Sequence, residues 1–127
     1  MAIVSQFKNH LHEYESTQPD TLEQVSDLVC NDGQKLLVIG FDICNLLNTG
    51  IMVNVVVYRP STQKDFYWIK NAPIPVGATL PVIQKQKQVL MPGDLIKISC
   101  SVGYDTQNNQ SPLSVIASSM EISLVES

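Results

Sequence analysis

Two histidines, His10 and His12, stand two residues apart and are followed by Glu13, a set able in principle to bind a metal or to pass a proton. On a helix that spacing turns the imidazoles to different faces, whereas a zinc pair needs i, i+4. Exposed imidazoles on a surface helix are therefore the expectation, and no metal ligand is assigned. The aspartates Asp32, Asp42, Asp65, Asp94 and Asp105 are scattered, and most fall in turns, where a carboxylate caps backbone amides. A hydrolase built on paired carboxylates needs two of them to converge in one pocket. The sequence holds no G-x-S-x-G elbow, no phosphate-cradling glycine loop, and no cysteine with histidine in a nucleophilic context. No catalytic residue and no cofactor is assigned, and a non-enzyme is expected.

Cys30, Cys44 and Cys100 have no metal-binding spacing, and an odd number cannot all pair within one chain. Reduced, buried thiols acting as small hydrophobes are expected. With 44% hydrophobic and 16% charged residues in 127, the chain can bury the core of one domain and is sparing with surface charge. The net charge of −4, from 8 Lys+Arg against 12 Asp+Glu, disfavours nucleic acid as a partner. No run reaches the ~18–20 apolar residues of a membrane helix. The N-terminal stretch also lacks the basic flank and long apolar run of a secretory signal, so no membrane partner and synthesis in a cytosol are expected.

The elements that must position these residues are mostly strands. Residues 1–20 are the exception: Phe7, Leu11 and Tyr14 fall at i, i+4 and i+7, which predicts a short amphipathic helix over 3–15. The expected organisation is an N-terminal arm or short helix at 1–20 and a β-sandwich at 21–127. Within the latter, strands are predicted at Thr21–Cys30, Lys35–Asn45, Ile51–Arg59, Asp65–Asn71, Thr79–Ile83, Val89–Met91, Leu95–Val102 and Leu113–Leu124. Asn31-Asp32-Gly33, Leu47–Gly50, Arg59–Thr62, the hairpin tip Gln84–Gln88 and Pro92-Gly93-Asp94 punctuate them, and Tyr104–Pro112 is the longest polar loop. Pro73, Pro75 and Gly77 predict a rigid corner. Because the connections are short, Lys70–Ser101 is expected to form a meander of antiparallel pairs.

Alternation assigns faces. Val53, Val55 and Val57 share one side of their strand, opposite Met52, Asn54, Val56 and Tyr58; Phe66 and Trp68 oppose Tyr67 and Ile69. In the last strand Ile116, Met120, Ile122 and Leu124 are predicted to be buried. Seven or eight short strands with turns every 8–12 residues give an all-β antiparallel sandwich or jelly-roll-like domain.

The stretches YWIKNAPIPVGATL and VLMPGDLIKISCS, within Tyr67–Ser101, resemble a group of small virion structural proteins of tailed bacteriophages. In that group an aromatic pair leads to an APIP-G corner and then to an L-x-x-GD-x-I/L-K turn and strand. Val38–Asn45, VIGFDICN, is similar to the group's central strand ending in Asn, and Val115–Leu124 to its closing strand. The resemblance covers residues 28–125 and leaves 1–22 unmatched. It implies a non-enzymatic virion subunit, foremost a capsid decoration or cement protein, with a neck, tail or baseplate protein as the alternative. Its partners would be further copies of itself and the major capsid, neck or tail proteins. A carbohydrate-binding sandwich, stacking sugars on exposed aromatics, is the second alternative. Interface candidates are Phe7, Leu11, Tyr14, Met52, Tyr58, Phe66, Trp68 and Tyr104.

Overall fold

The computed structural model describes residues 2–83 and 87–125, with side chains at 5–83 and 87–123. Among the described residues the chain forms β1 (Ala2–Glu13), β2 (Glu23–Val29), β3 (Gln34–Asn45), β4 (Ile51–Arg59), β5 (Lys64–Ile74), β6 (Thr79–Pro81), β7 (Gln88–Leu90), β8 (Leu95–Cys100) and β9 (Leu113–Val125). Sheet A runs β1-β9-β3, with β6 and β7 both paired to the far side of β3, and sheet B runs β2-β8-β4-β5. All pairs are antiparallel. Taken as one interrupted strand, β6 and β7 complete the strand order of a jelly roll, so the all-β sandwich is the fold. The expected tip at Gln84–Gln88 lies mostly outside the described residues, as does the side chain of Leu124.

The meander expected across Lys70–Ser101 does not form. Strand β5 belongs to sheet B, β6 and β7 to sheet A, and β8 to sheet B again. Short links force antiparallel order, but a tight turn reaches the facing sheet about 10 Å away as readily as a neighbour about 4.8 Å away. Turn chemistry sets where the chain reverses and leaves its next partner open. Among the described residues, only β4 and β5 form a hairpin of consecutive strands that pair with each other.

The predicted helix over 3–15 is also replaced by a strand. β1 pairs with β9 residue for residue from Ala2 to Glu13. Phe7 and Leu11 suit either period, since they are four apart and share a strand face as well as a helix face. Tyr14 does not: it turns inward, is fully buried, and donates its hydroxyl to Thr21 O at 2.6 Å. His10 and His12 share its parity and are buried too, which corrects the exposed pair expected on a helix.

The core lies between the sheets and includes Val25, Phe41, Val55, Ile96, Ile98 and Val115. In β4 the expected inward set Val53, Val55 and Val57 holds. In β9 the parity is opposite to expectation: Leu113, Val115, Ala117 and Ser119 face inward, while Ile116 is 61% exposed. Both faces of that strand are apolar, so alternation alone could not choose between them. Strand β5 departs from alternation through register shifts against β4. Ile69 pairs with Val55 and Tyr67 with Val56, leaving Trp68 as the extra residue of a bulge. Trp68 thereby tilts its ring onto Phe41 of sheet A, at 5.7 Å and 54°, whereas Phe66 and Tyr67 are both exposed.

The proline corner narrows to Pro75-Val76-Gly77, because Pro73 sits inside β5 opposite Met52. Ala78 N–H donates to Pro75 O at 3.1 Å, and Gly77 takes φ +73°. Buried Asn45 ties this corner down, its amide donating to Thr49 O at 2.9 Å and Ile74 O at 3.0 Å. Gly103 permits a second close approach: a Cβ there would stand 2.2 Å from Thr17 O, where Tyr104 N–H donates to Ser16 O at 2.8 Å.

Candidate assembly surfaces

The outward residues of sheet A form rows that run across the strands. Phe7 pairs with Met120, Met120 with Leu37, and Leu37 with Val89, so one apolar row spans β1, β9, β3 and β7. Two positions along β1, Asn9 pairs with Ser118 in a polar row; beyond it, Leu11 pairs with Ile116. Phe7 is 73% and Leu11 69% exposed. An exposed apolar row of this kind makes the outer face of sheet A a candidate interaction surface. Phe7 and Leu11 were legible in the sequence as interface candidates; Ile116, Met120 and Val89 were missed, because they were assigned to the core or to a minor strand.

The outer face of sheet B is guarded. Lys97 Nζ lies 4.3 Å from the centre of the Tyr58 ring and Lys70 5.2 Å from Tyr67; on the opposite face of β5, at the cleft, Lys64 lies 5.4 Å from Phe66. Val56 points to this face, between Lys97 and Tyr67 in register, and is fully buried. Met52 is exposed on the same face. A cleft of about 300 Å³ opens at the end of the sheet, lined by Val57, Arg59, Phe66, Tyr67, Trp68 and Gln88. Arg59 forms a bidentate pair with Asp94, through Nε–Oδ1 at 3.0 Å and Nη2–Oδ2 at 2.9 Å. Burial alone would raise the Asp94 pKa; the Arg59 contacts and the Met91 N–H together hold it below the usual carboxylate value.

The interface candidates therefore divide. Phe7 and Leu11 lie on sheet A, Met52 and Tyr58 on the outer face of sheet B, and Phe66 and Trp68 at the cleft. Tyr104 lies in the loop after β8, beside Ser16. Tyr14 is a core residue, and the structure corrects its assignment to an interface.

The histidines occupy the seam where β1 of sheet A meets β2 of sheet B. Ser26 N–H donates to His12 Nδ1 at 3.2 Å, so in the neutral ring the proton sits on Nε2, which donates to Glu23 at 2.5 Å. Ser26 Oγ donates to the same Nδ1 at 2.8 Å. This hydroxyl, imidazole and carboxylate chain has the order of an activated nucleophile. Glu23 also accepts from the backbone N–H groups of Glu15 and Ser16, which fastens the end of β1 to β2. Ser26 lies outside the lining of the adjacent cleft formed by Lys8, Asn9, His10, Asp27, Val29 and Asn31. His10 Nε2 bonds Ser119 Oγ at 2.8 Å, and its Nδ1 is buried with no partner among the described residues. Burial lowers the His10 pKa, offset in part by the nearby Ser26 backbone and then by Asp27, and reinforced by Lys8. The thiols of Cys30 and Cys100 are buried and raised by that burial, while Cys44 is half-buried.

No protein-family model matches the sequence, and no curated protein matches it. Solved structures do share the fold. A protein from the disulfide-linked pili of Bacillus endospore appendages superposes with a TM-score of 0.54 at 12% identity, over 97% of this chain and 89% of that one. The globular domain of zebrafish complement 1qA gives 0.39 at 11%, over 95% and 98%. A protein of the infectious bursal disease virus particle gives 0.38 at 12%, over 94% of this chain and 31% of that one. At such identities the likeness is one of fold.

Proposed function

We propose that this chain is a non-enzymatic structural subunit of a tailed-phage virion, foremost a decoration or cement protein of the capsid surface, with the neck, tail or baseplate as the alternative location. One observation carries the reading: the outer face of sheet A is built as an apolar row across its strands and left uncovered, with Phe7, Leu11 and Ile116 as large exposed anchors. Burying such anchors against another protein supplies binding energy through desolvation, and the low charge of the chain fits that mechanism. The resemblance of Tyr67–Ser101 to virion proteins supplies the particle, and the fold shared with a protein of an assembled appendage agrees with it.

The test compares purified capsids with detached tails by mass spectrometry, and wild type with F7S/L11S/I116S in a particle-binding assay. Wild type is expected in the capsid fraction, and the variant is expected to fold normally and lose attachment. A wild-type protein found on neither particle, or a variant that binds at full occupancy, would overturn the reading. The cleft beside Phe66, Tyr67 and Arg59 supports glycan binding as a second reading, although Tyr58, Trp68 and Tyr104 do not converge on one groove. Titration with neutral oligosaccharides, read by the fluorescence of Trp68, separates the two.

A further inference from the structure

The lateral sides of the sandwich differ in charge. On one side the sheets end in β1 and β2, fastened together by the His12–Glu23 pair; on the other they end in β5 and β6, joined by the short corner at Pro75–Gly77. The β1/β2 side carries exposed Glu13, Glu15 and Asp27, and its lysine, Lys8, is neutralised by Glu121 at 2.7 Å. The β5/β6 side carries exposed Lys64 and Lys70, with Lys87 just before β7. Its carboxylate, Asp65, is half-buried with Oδ1 turned fully inside.

Among the described residues the ion pairs are Lys8–Glu121, His12–Glu23 and Arg59–Asp94. Glu13, Glu15, Asp27, Lys64 and Lys70 form no ion pair among the described residues. Both sides also end in long strands with a free edge, and an unpaired edge is a template for another chain. Natural domains guard such edges with lysine, proline, bulges or inward charge; β5 carries Lys64, Lys70, Pro73 and the bulge at Trp68, whereas the long β1 has Lys8, itself paired with Glu121, and is the more open edge.

We infer that the occupant of these edges is a second copy of this chain, joined head to tail: the acidic β1/β2 side of one copy lies against the lysine-bearing β5/β6 side of the next. The contact is heterologous, so each copy keeps one free side of each sign and association continues into rings or chains. Phe66 and Tyr67, exposed beneath Lys64 and Lys70, supply the apolar part of the contact, and the charges set direction and register. This inference deepens the structural-subunit reading and rests on it for its biological setting, yet it uses a different surface from the outer face of sheet A.

The experiment is analytical ultracentrifugation of the full chain at low and high salt, with E13K/E15K, K64E/K70E and their equimolar mixture. Wild type is expected to form a concentration-dependent series of oligomers that shrinks as salt rises. Each charge-reversed variant alone should associate at least about tenfold more weakly, since both of its sides then carry one sign. The mixture should recover association, because every contact in an alternating chain pairs opposite charges. Should a reversal disturb folding by circular dichroism, E13Q/E15Q and K64Q/K70Q replace it, with a reduced salt dependence expected. A monomeric wild type, single variants that assemble like wild type, or a mixture that stays dissociated would each overturn the head-to-tail contact. If wild type is monomeric yet binds particles through Phe7, Leu11 and Ile116, this inference alone fails.

Discussion

The two outer faces of the sandwich started from similar material and ended differently. Each carries aliphatic and aromatic side chains at alternate positions of a long strand: Phe7 and Leu11 in β1, Val56 and Tyr58 in β4. On sheet B, Lys97 and Lys70 lie over the rings of Tyr58 and Tyr67, and Val56, opposite Lys97 and Tyr67 in register, is fully buried. On sheet A the cross-strand neighbours of Phe7 and Leu11 are Met120 and Ile116, and the row stays open. Whether an apolar residue on an outer face becomes core or contact surface thus depends on its cross-strand neighbour, which register alone supplies.

The sharpest way to break that comparison is to remove β1. If the open face were a detachable arm, deleting residues 1–14 would leave the sandwich intact. The expected outcome is loss of the cooperative thermal transition, because the deletion strips the full β9 pairing and the buried Tyr14. Tyr14→Ala alone is expected to cost about 3 kcal/mol, as for other buried aromatics. A truncated protein that melts like the full chain would restore the arm.

A matched pair of truncations sharpens the contrast between faces. Val56→Ala should destabilise by about 2 kcal/mol, combining lost transfer energy with a cavity. Ile116→Ala, at an open position, should stay within about 0.5 kcal/mol in chemical denaturation. Equal costs would mean that both faces are covered alike in solution.

Acidification probes the inner side of β1. Burial lowers the folded-state pKa of His10 below its ordinary 6.5, so the unfolded chain takes up its proton first. Stability from this group is therefore full above about 6.5 and is lost as pH falls from there towards the folded value. Asp94 acts later: its folded pKa lies below 3.8, and the stability it contributes disappears only as pH falls through that lower value. Thermal melts from pH 7 to 5 should show a decline that His10→Gln flattens; equal slopes would exclude His10 as its source.

The smallest effect concerns the guard on sheet B. Lys97→Ala removes the cation over Tyr58 and should cost about 0.5–1 kcal/mol, the range for an exposed cation–π contact. No measurable change would reduce the lysine to a bystander.

Turn chemistry and period-two patterning were enough, from the sequence, to place most strands. Gly77 is the positive-φ residue of the corner, Asp94 caps the Pro92-Gly93 turn, and β4 runs over Ile51–Arg59 as its alternating valines require. These are local properties, governed by one backbone angle or by the side-chain period of a strand. The pairing partners were settled only in the folded chain. Which sheet receives β6, which parity of β9 faces inward, where the bulge at Trp68 falls, and that β1 is a strand fastened to β2 through His12 and Glu23 all depend on contacts between residues far apart in sequence. A strand with two apolar faces is stable either way up until a neighbour covers one of them, and that choice made one face of β9 core and left the other exposed.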